Sequence, residues 1–286
     1  MKISDIVGQG KATLSFEVFP PKKDSDYEKV RVATEEIAKL KPSFMSVTYG
    51  AGGGTSAHTV AIATNLKNVS GVTPLAHLTC VSSSKEEIEG QLELLKVHGI
   101  ENILALRGDK PKDNNRITDG YQYANELVAA IKEKSDFCIG AACYPEGHVE
   151  AKTLEEDISY LKKKVEAGCD FLTTQMFFDN NILYKYLYKI RERGIKIPVI
   201  AGIMPVTNGN QISRICELSG TYLPSRFKAI VQKFGDNPSA MKQAGIAYAT
   251  EQIIDLLANG VNAIHVYSMN KPEVAKAIQD NLNEII

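Results

Sequence analysis

Short apolar runs rich in β-branched and aromatic residues recur along the chain, each followed by a turn and then a longer stretch whose apolar residues return at helical spacing. The runs are Leu14 to Phe19, Phe44 to Gly50, Pro74 to Cys80, Asn102 to Gly108, Ile139 to Pro145, Phe171 to Phe178, Val199 to Val206 and Ala263 to Met269. Each predicts a strand. Their apolar character on both alternations suits parallel strands covered by helices on one face and filled by side chains on the other. The intervening stretches predict helices: Ser25 with Glu28, Ser84 with Glu87 and Thr153 with Glu156 have the spacing of a capping box, in which a hydroxyl accepts from an otherwise free backbone N–H. In the first of these helices Val30, Ala33, Ile37 and Leu40 share a face, and Pro42 ends it before the second strand.

Eight such units in a chain of 286 residues predict an α/β fold, a (β/α)8 TIM barrel, as a single domain over residues 1–286. A doubly wound open sheet would place a glycine fingerprint at its first turn, and none follows the first strand. Fifty-six residues separate Val206 from Ala263, more than one crossover requires, so an extra helix and a substrate-facing insertion are expected there.

Charge and composition remove several alternatives. Thirty-three basic against thirty-four acidic residues leave a net charge of -1, and the basic residues are scattered, which argues against a nucleic-acid partner. The N-terminal MKISDIVGQGK has no signal-like apolar run, and no stretch of about 18 uninterrupted apolar residues occurs; a cytoplasmic protein with no membrane partner is expected. Cys80, Cys138, Cys143, Cys169 and Cys216 include no CxxC pair, which predicts buried free thiols and no metal site.

In such a barrel the active site forms at the C-terminal strand ends, so the polar residues there carry the candidate chemistry. The ends offer Glu17, Thr48 with Tyr49, His77 with Thr79, Arg107 with Asp109, Tyr144, Gln175, the Pro205 to Gln211 loop and Tyr267. Glu17 lies in SFEVFPP, between aromatic residues and ahead of a rigid Pro20-Pro21 pair, a setting that desolvates a carboxylate and raises its pKa. A general acid and a strand-end salt bridge both suit it. Asp109 closes ALRGD, where Gly108 admits close backbone approach and Arg107 supplies a fixed positive charge. A cofactor contact and a turn-capping aspartate both suit that position. His77 and His148 lack the spacing of zinc ligands and suit hydrogen bonds to a ligand, whereas His265, inside an apolar strand, suits a satisfied core position. The glycines Gly50 to Gly54 lack the ending of a phosphate loop, leaving a backbone anion site or simple loop flexibility. Lys162, Lys163 and Lys164 follow Asp157 on a helix; such a run suits a solvated face, from which one lysine could reach a cofactor phosphate.

The segments SFEVFPP, SVTYGAGG, PLAHLTC, ALRGD, AACYPEGH, TQMFFD and GIMPV, in this order and spacing, resemble the methylenetetrahydrofolate reductases in their short, FAD-dependent bacterial form. The resemblance covers nearly the whole chain and falls at seven successive strand ends. It implies a (β/α)8 barrel holding FAD and a ping-pong hydride transfer from NADH or NADPH through FAD. The product would be 5-methyltetrahydrofolate, made from 5,10-methylenetetrahydrofolate for methionine synthesis. By the same resemblance Glu17 is the acid that protonates the folate bridge nitrogen and opens the five-membered ring to an iminium that accepts hydride. Asp109 is implied to sit beside flavin and folate, where its charge favours the iminium and opposes an anionic reduced flavin. The implied FAD contacts are Tyr49, Ala51, His77, Arg107, Gly108, Asp109, Ala124, Tyr144, His148, Ala151, Asp157, Tyr160 and Lys164. Thr48 and Gln175 would face nicotinamide or folate across the flavin, with Gln211 and Lys271 at the folate edge.

Three positions depart from the family pattern: Tyr160 stands where an asparagine can contact the cofactor, Ile215 where an aromatic can stack on the substrate, and Lys271 where an arginine can hold it. The last two imply altered folate packing, since lysine does not reproduce a bidentate guanidinium contact. The long regulatory domain of eukaryotic members, which binds S-adenosylmethionine, has no counterpart, so feedback by that route is not expected. A homo-oligomer is expected by analogy. Two other readings stand beside the reductase. One is a folate-and-flavin subunit that takes electrons from a partner protein, whose iron–sulfur relay would belong to that partner, since this chain has no cysteine cluster. The other is a non-catalytic barrel that only binds folate or flavin, against which Glu17 and Asp109 argue.

Overall fold

In the computed structural model, which describes residues 1–49, 56–109 and 119–286, eight parallel strands close into a barrel in chain order. They are β1 (Thr13–Val18), β2 (Met45–Val47), β3 (Pro74–Thr79), β4 (Asn102–Leu106), β5 (Cys138–Cys143), β6 (Phe171–Thr174), β7 (Val199–Ile203) and β8 (Ala263–Tyr267). The ring closes where β1 pairs with β8, from Thr13 opposite Ala263 to Glu17 opposite Tyr267. Strands begin within a residue of their expected starts but end one to four residues earlier than the apolar runs. The cause is clearest after β6 and β7. Met176, Phe178 and Val206 leave the sheet and bury instead against Ile212, Phe227 and Met241 of the long β7–β8 connection.

That connection holds three helices, two more than one crossover needs and one more than the sequence led us to expect: α8 (Gly209–Ser219), α9 (Ser225–Phe234) and α10 (Pro238–Ala258). Before it run α1 (Ile3–Val7), α2 (Tyr27–Ala38), α3 (Ser56–Asn68), α4 (Lys85–Val97), α5 (Ala124–Lys134), α6 (Leu154–Glu166) and α7 (Asn180–Glu192), and α11 (Pro272–Asp280) follows β8. Of the three expected capping boxes, Ser84 and Glu87 form a complete one at α4. Thr153 caps α6 by accepting from Glu156 N–H, but the Glu156 carboxylate turns to Lys152 N–H instead of closing the box. Ser25 caps nothing: a single 3-10 turn over Asp24–Asp26 precedes α2, and Asp26 takes the cap position with no side-chain bond. The buried face of α2 is Val30, Thr34, Ile37 and Ala38, so the face expected from Ala33 and Leu40 is rotated by about one residue.

Alternation along the strands divides the apolar material into two layers. Outward residues such as Phe16, Val47, Ile103, Ile139 and Ile264 join Ile37, Leu66, Leu127, Leu161 and Ile253 of the helical shell in one large core. Inward residues at the lower half of the barrel, Phe44, Leu75, Leu104, Cys138, Phe171 and Ile200, form a second core. The short helix α1, not expected from the sequence, plugs this end: Ile3 and Val7 complete the inner core, and Ile3 N–H donates to Asn102 Oδ1 at 2.8 Å. Gly140 leaves room inside the barrel for the Phe171 ring, as alternating small and large inward residues must. Four of the five cysteines are buried and all five are free thiols. Among the described residues no helix is long and apolar enough to cross a membrane.

Candidate functional site

Above its apolar floor the barrel interior turns polar. Because Phe16 and Val18 point into the shell, Ser15 and Glu17 point inward, and the other strands add Ser46, His77, Thr173 and His265 at the same depth. A cavity of about 280 Å3 opens here, lined by Glu17, Thr48, His77, Tyr144, Gln175 and Tyr267 among others. Glu17 keeps only 19% of its side-chain exposure, and burial pushes its carboxyl up from an ordinary 4.5 to about 8, opposed by a hydrogen bond with Ser46. The sequence left Glu17 between a general acid and a salt bridge, and no lysine or arginine is among the described residues lining its cavity. Among the described residues its one potential ionic neighbour is His77, with Nε2 3.6 Å from Oε2, and burial lowers that imidazole to about 3. His77 is therefore neutral, and its buried Nε2 has no hydrogen-bond partner. His265, also lowered to about 3 by burial, is the satisfied core histidine expected, stacked 5.4 Å from Phe44 and bonded to Ser15 and Ser46.

A wider cleft of about 580 Å3 continues from this cavity across the ends of β4 and β5, sharing Leu106, Ala142 and Tyr144 as a common wall. It gathers Arg107, Ala124, Tyr144, His148, Ala151, Asp157, Tyr160 and Lys164, eight of the thirteen residues implied as cofactor contacts. Asp157 and Lys164, two helical turns apart, lie on one face of α6. Of the three consecutive lysines Lys164 turns inward, donating to Ala142 O at 2.6 Å, and burial lowers its pKa. Lys163 also lines the cleft, while Lys162 stays on the solvated face and reaches Glu166. Burial raises Asp157, with Lys164 opposing. Arg107 makes a two-pronged pair with Glu150, both contacts 2.8 Å, and His148 packs edge-on against Tyr144 at 4.8 Å. The N-terminus of α5 enters the same wall through Ala124 and Asn125.

Other expected positions are not drawn into either cavity. Tyr49 is half-buried against the main core. Gly108 adopts a left-handed φ of +85°, and the group that approaches it closely is the Thr79 side chain, 3.0 Å from where a Cβ would stand. Asp109 is exposed at the end of β4. Gln211 is exposed on α8, Ile215 belongs to the cluster under the insertion, and Lys271 donates to Thr207 Oγ1 at 2.7 Å. Ala51 and the glycines Gly50 to Gly54 lie outside the described residues. Conversely, sequence reasoning passed over Ser15 and Ser46 and gave no role to Tyr267, which donates to Thr174 O at 2.6 Å and lies in the inner cavity. Strict alternation from Glu17 would have pointed to Ser15, and from His265 to Tyr267. Among the described residues no group of three histidine, cysteine or acidic side chains is placed to hold a metal.

A family model described as methylenetetrahydrofolate reductase matches residues 2–283. Methylenetetrahydrofolate reductase (NADH) 1 of Arabidopsis thaliana is 37% identical over 298 residues, an alignment that takes in 99% of this chain and 50% of the plant protein. The chain thus spans about half the length of the curated plant relatives it matches. The 5,10-methylenetetrahydrofolate reductase of Escherichia coli K12 is 33% identical over 270 residues, covering 94% of this chain and 90% of its own. Among solved structures, a Clostridium thermocellum protein described as binding two copies of 5-methyl-5,6,7,8-tetrahydrofolic acid superposes with a TM-score of 0.63 at 16% identity, over 99% of both chains. Oxaloacetate acetylhydrolase superposes at 0.57 and 13% identity, over 99% of this chain and 85% of its own. Likeness at that level of identity shows the barrel fold.

Proposed function

Since the chain belongs to the methylenetetrahydrofolate reductase family, we propose that it reduces 5,10-methylenetetrahydrofolate to 5-methyltetrahydrofolate with electrons from NADH carried by FAD. The observation that carries this reading is a buried carboxyl, Glu17, which desolvation pushes up to about 8, at the inner end of a cavity that opens into a cleft lined by Arg107, Lys163 and Lys164 beside Glu126, Glu150 and Asp157. The cleft suits a flat, anionic dinucleotide. Lys163 and Lys164 offer positive charge to phosphates, with Arg107 joining them if it exchanges Glu150 for the ligand; Ala124, Ala142 and Ala151 leave the walls low, and Tyr144 presents a ring between cleft and cavity. The unpartnered Nε2 of His77 awaits a ligand atom at the cavity end. When bound there, FAD supplies two-electron hydride carriage between the substrates.

Glu17 then supplies the proton of the folate half-reaction. With its pKa near 8 it holds that proton at neutral pH and donates it to the bridge nitrogen, whose C–N bond breaks to leave an iminium carbon. That carbon takes the hydride, and solvent reprotonates Glu17. Asp109 adds a negative charge at the end of β4 that favours the cationic iminium. Thr48 and Gln175 line the inner cavity and hold whichever substrate occupies it, and Gln211 from the first turn of α8 and Lys271 from the β8–α11 loop meet the rest of the folate. A cavity of only about 280 Å3 supports the reading that nicotinamide and folate occupy it in turn, in a ping-pong cycle. The NADH in the plant relative's name supports NADH over NADPH.

The test is anaerobic. Protein loaded with FAD should lose its flavin colour on addition of NADH and regain it on addition of methylenetetrahydrofolate. Glu17→Gln should keep the first change and slow the second by roughly a hundredfold or more. Loss of both together would remove Glu17 from the acid role. Bleaching by 5-methyltetrahydrofolate but by neither nicotinamide would show that a partner protein supplies the electrons.

A further inference from the structure

Where β8 ends, its hydrogen bonding to β1 continues by other means. Tyr267, the last residue of β8, stands opposite Glu17. Beyond it Ser268, which is buried, donates from Oγ to Glu17 O at 2.6 Å. Asn270 then accepts from Phe19 N–H at 2.9 Å and donates through Nδ2 to Phe19 O at 2.8 Å. A carboxamide that accepts from and donates to one residue imitates the peptide group of a neighbouring strand, so the side chain adds a rung to the β1–β8 ladder after the backbone has turned away. Aspartate, which only accepts when ionised, cannot complete such a rung.

The backbone between these contacts is strained. Met269 and Asn270 have φ of +55° and +53°, and Lys271 N–H closes the turn on Ser268 O at 3.1 Å. Two successive left-handed residues inside a closed turn mark the type I′ class, which glycine and asparagine fill readily. Methionine does not, because in that conformation its Cβ crowds the following carbonyl. Met269 is exposed, so the turn draws little from packing of that side chain. Strain of this kind persists only where surrounding contacts fix the chain, and here the bonds of Ser268 and Asn270 to β1 do so. The consequence falls on the next residue. Lys271 caps α11 in an extended conformation, and its Nζ donates to Thr207 Oγ1 of the β7–α8 loop at 2.7 Å. A turn relaxed to right-handed backbone would send that lysine elsewhere. We propose that Asn270 is a positioning residue: as a side-chain rung on β1 it locks the left-handed turn that aims Lys271 at the substrate, and it ties that lysine to the strand end bearing Glu17. The effect on folate rests on the folate-edge role given to Lys271 above; the effect on the turn does not.

The test compares Asn270→Gly, Asn270→Asp and Lys271→Met in FAD-loaded protein. Glycine adopts the left-handed φ freely, so it removes the rung without adding strain. Flavin reduced by NADH under anaerobic conditions is reoxidised with increasing methylenetetrahydrofolate, which yields a half-saturating concentration and a limiting rate. Lys271→Met should raise the half-saturating concentration by about tenfold or more. Asn270→Gly should raise it by roughly three- to tenfold while the limiting rate stays within about twofold. The two substitutions together should do no more than Lys271→Met alone, because both act through one ammonium group. Asn270→Asp keeps the bond from Phe19 N–H but not the one to Phe19 O, and should fall between Asn270→Gly and the unsubstituted protein. Amide hydrogen exchange reads the turn itself: the Phe19 and Lys271 N–H groups should exchange about tenfold faster in Asn270→Gly. Unchanged exchange at those two amides, or full additivity of Asn270→Gly with Lys271→Met, would overturn the proposal. So would faster exchange with an unmoved half-saturating concentration where Lys271→Met does move it, since the turn would then loosen without displacing the lysine. Faster exchange with Lys271→Met itself silent would sustain the locked turn and refute the folate-edge role of Lys271.

Discussion

Replacing Glu17 by glutamine should stabilise the ligand-free protein, and by an amount that grows with pH. In the folded chain burial holds the carboxyl near 8, whereas the unfolded chain titrates near 4.5. Below the lower value both states hold the proton and its burial costs nothing through ionisation. Between the two values the unfolded chain ionises while the folded chain does not, so stability falls as pH rises, and above the upper value the loss is complete. A displacement from 4.5 to about 8 corresponds to about 5 kcal/mol at 1.36 kcal/mol per unit, an upper bound because the side chain keeps 19% exposure and the pocket can relax. Glutamine has nearly the same shape and never ionises. Urea unfolding of both proteins at several pH values from about 5 to about 9, at constant ionic strength, should show the two stabilities diverging up to pH ~8 and running parallel beyond it, the gap reaching about 2–5 kcal/mol. Effects of the depressed histidines, His77 and His265, are common to both proteins and largely cancel. A gap independent of pH would mean that Glu17 ionises normally, and both the acid role and its burial argument would fall.

Two further outcomes follow from particular contacts. Lys164→Met keeps the aliphatic stem but removes the inward cation of the cleft, and FAD retention measured by fluorescence titration should weaken by roughly ten- to a hundredfold; unchanged affinity would place the cofactor phosphates elsewhere. Ile3→Ala opens the plugged end of the barrel and should lower stability by about 2–4 kcal/mol with no change in flavin affinity, read from the urea midpoint. A change below about 0.5 kcal/mol would mean that α1 rests on the barrel without supporting it.

Much of this was legible before any coordinates. The eight strand starts are set by β-branched runs, and the polar residues gathered at the strand ends mark the mouth because so many inward polar groups are costly in an apolar core. Strand ends were harder to place, since Met176, Phe178 and Val206 are as apolar as the strand residues before them and only the insertion helices reveal where they pack. Helix α1 escaped because five residues, three of them apolar, are too few to carry a periodicity. Lys164 could not be told from its two neighbours until the rotation of α6 turned it inward. Gln211 and Lys271 were placed by motif, yet they sit in the first turn of α8 and at the cap of α11, whose orientation over the barrel the motif does not determine. The small hydroxyls Ser15 and Ser46 went unremarked because serine in a strand is ordinary; their meaning depends on a histidine some 250 residues away in one case and some 219 in the other.

The seam between β1 and β8 has a consequence for how the chain acquires its chemistry. Glu17 lies on the first strand, and Tyr267, which stands opposite it, arrives on the last. A chain emerging from the ribosome therefore carries the glutamate for most of its synthesis beside an open sheet edge, wet and ionised like any surface carboxylate. Only when the eighth strand docks are the edges removed and the group desolvated. Contacts of such long sequence separation form slowly, so the burial that raises the Glu17 carboxyl is acquired in the same event that completes the ring.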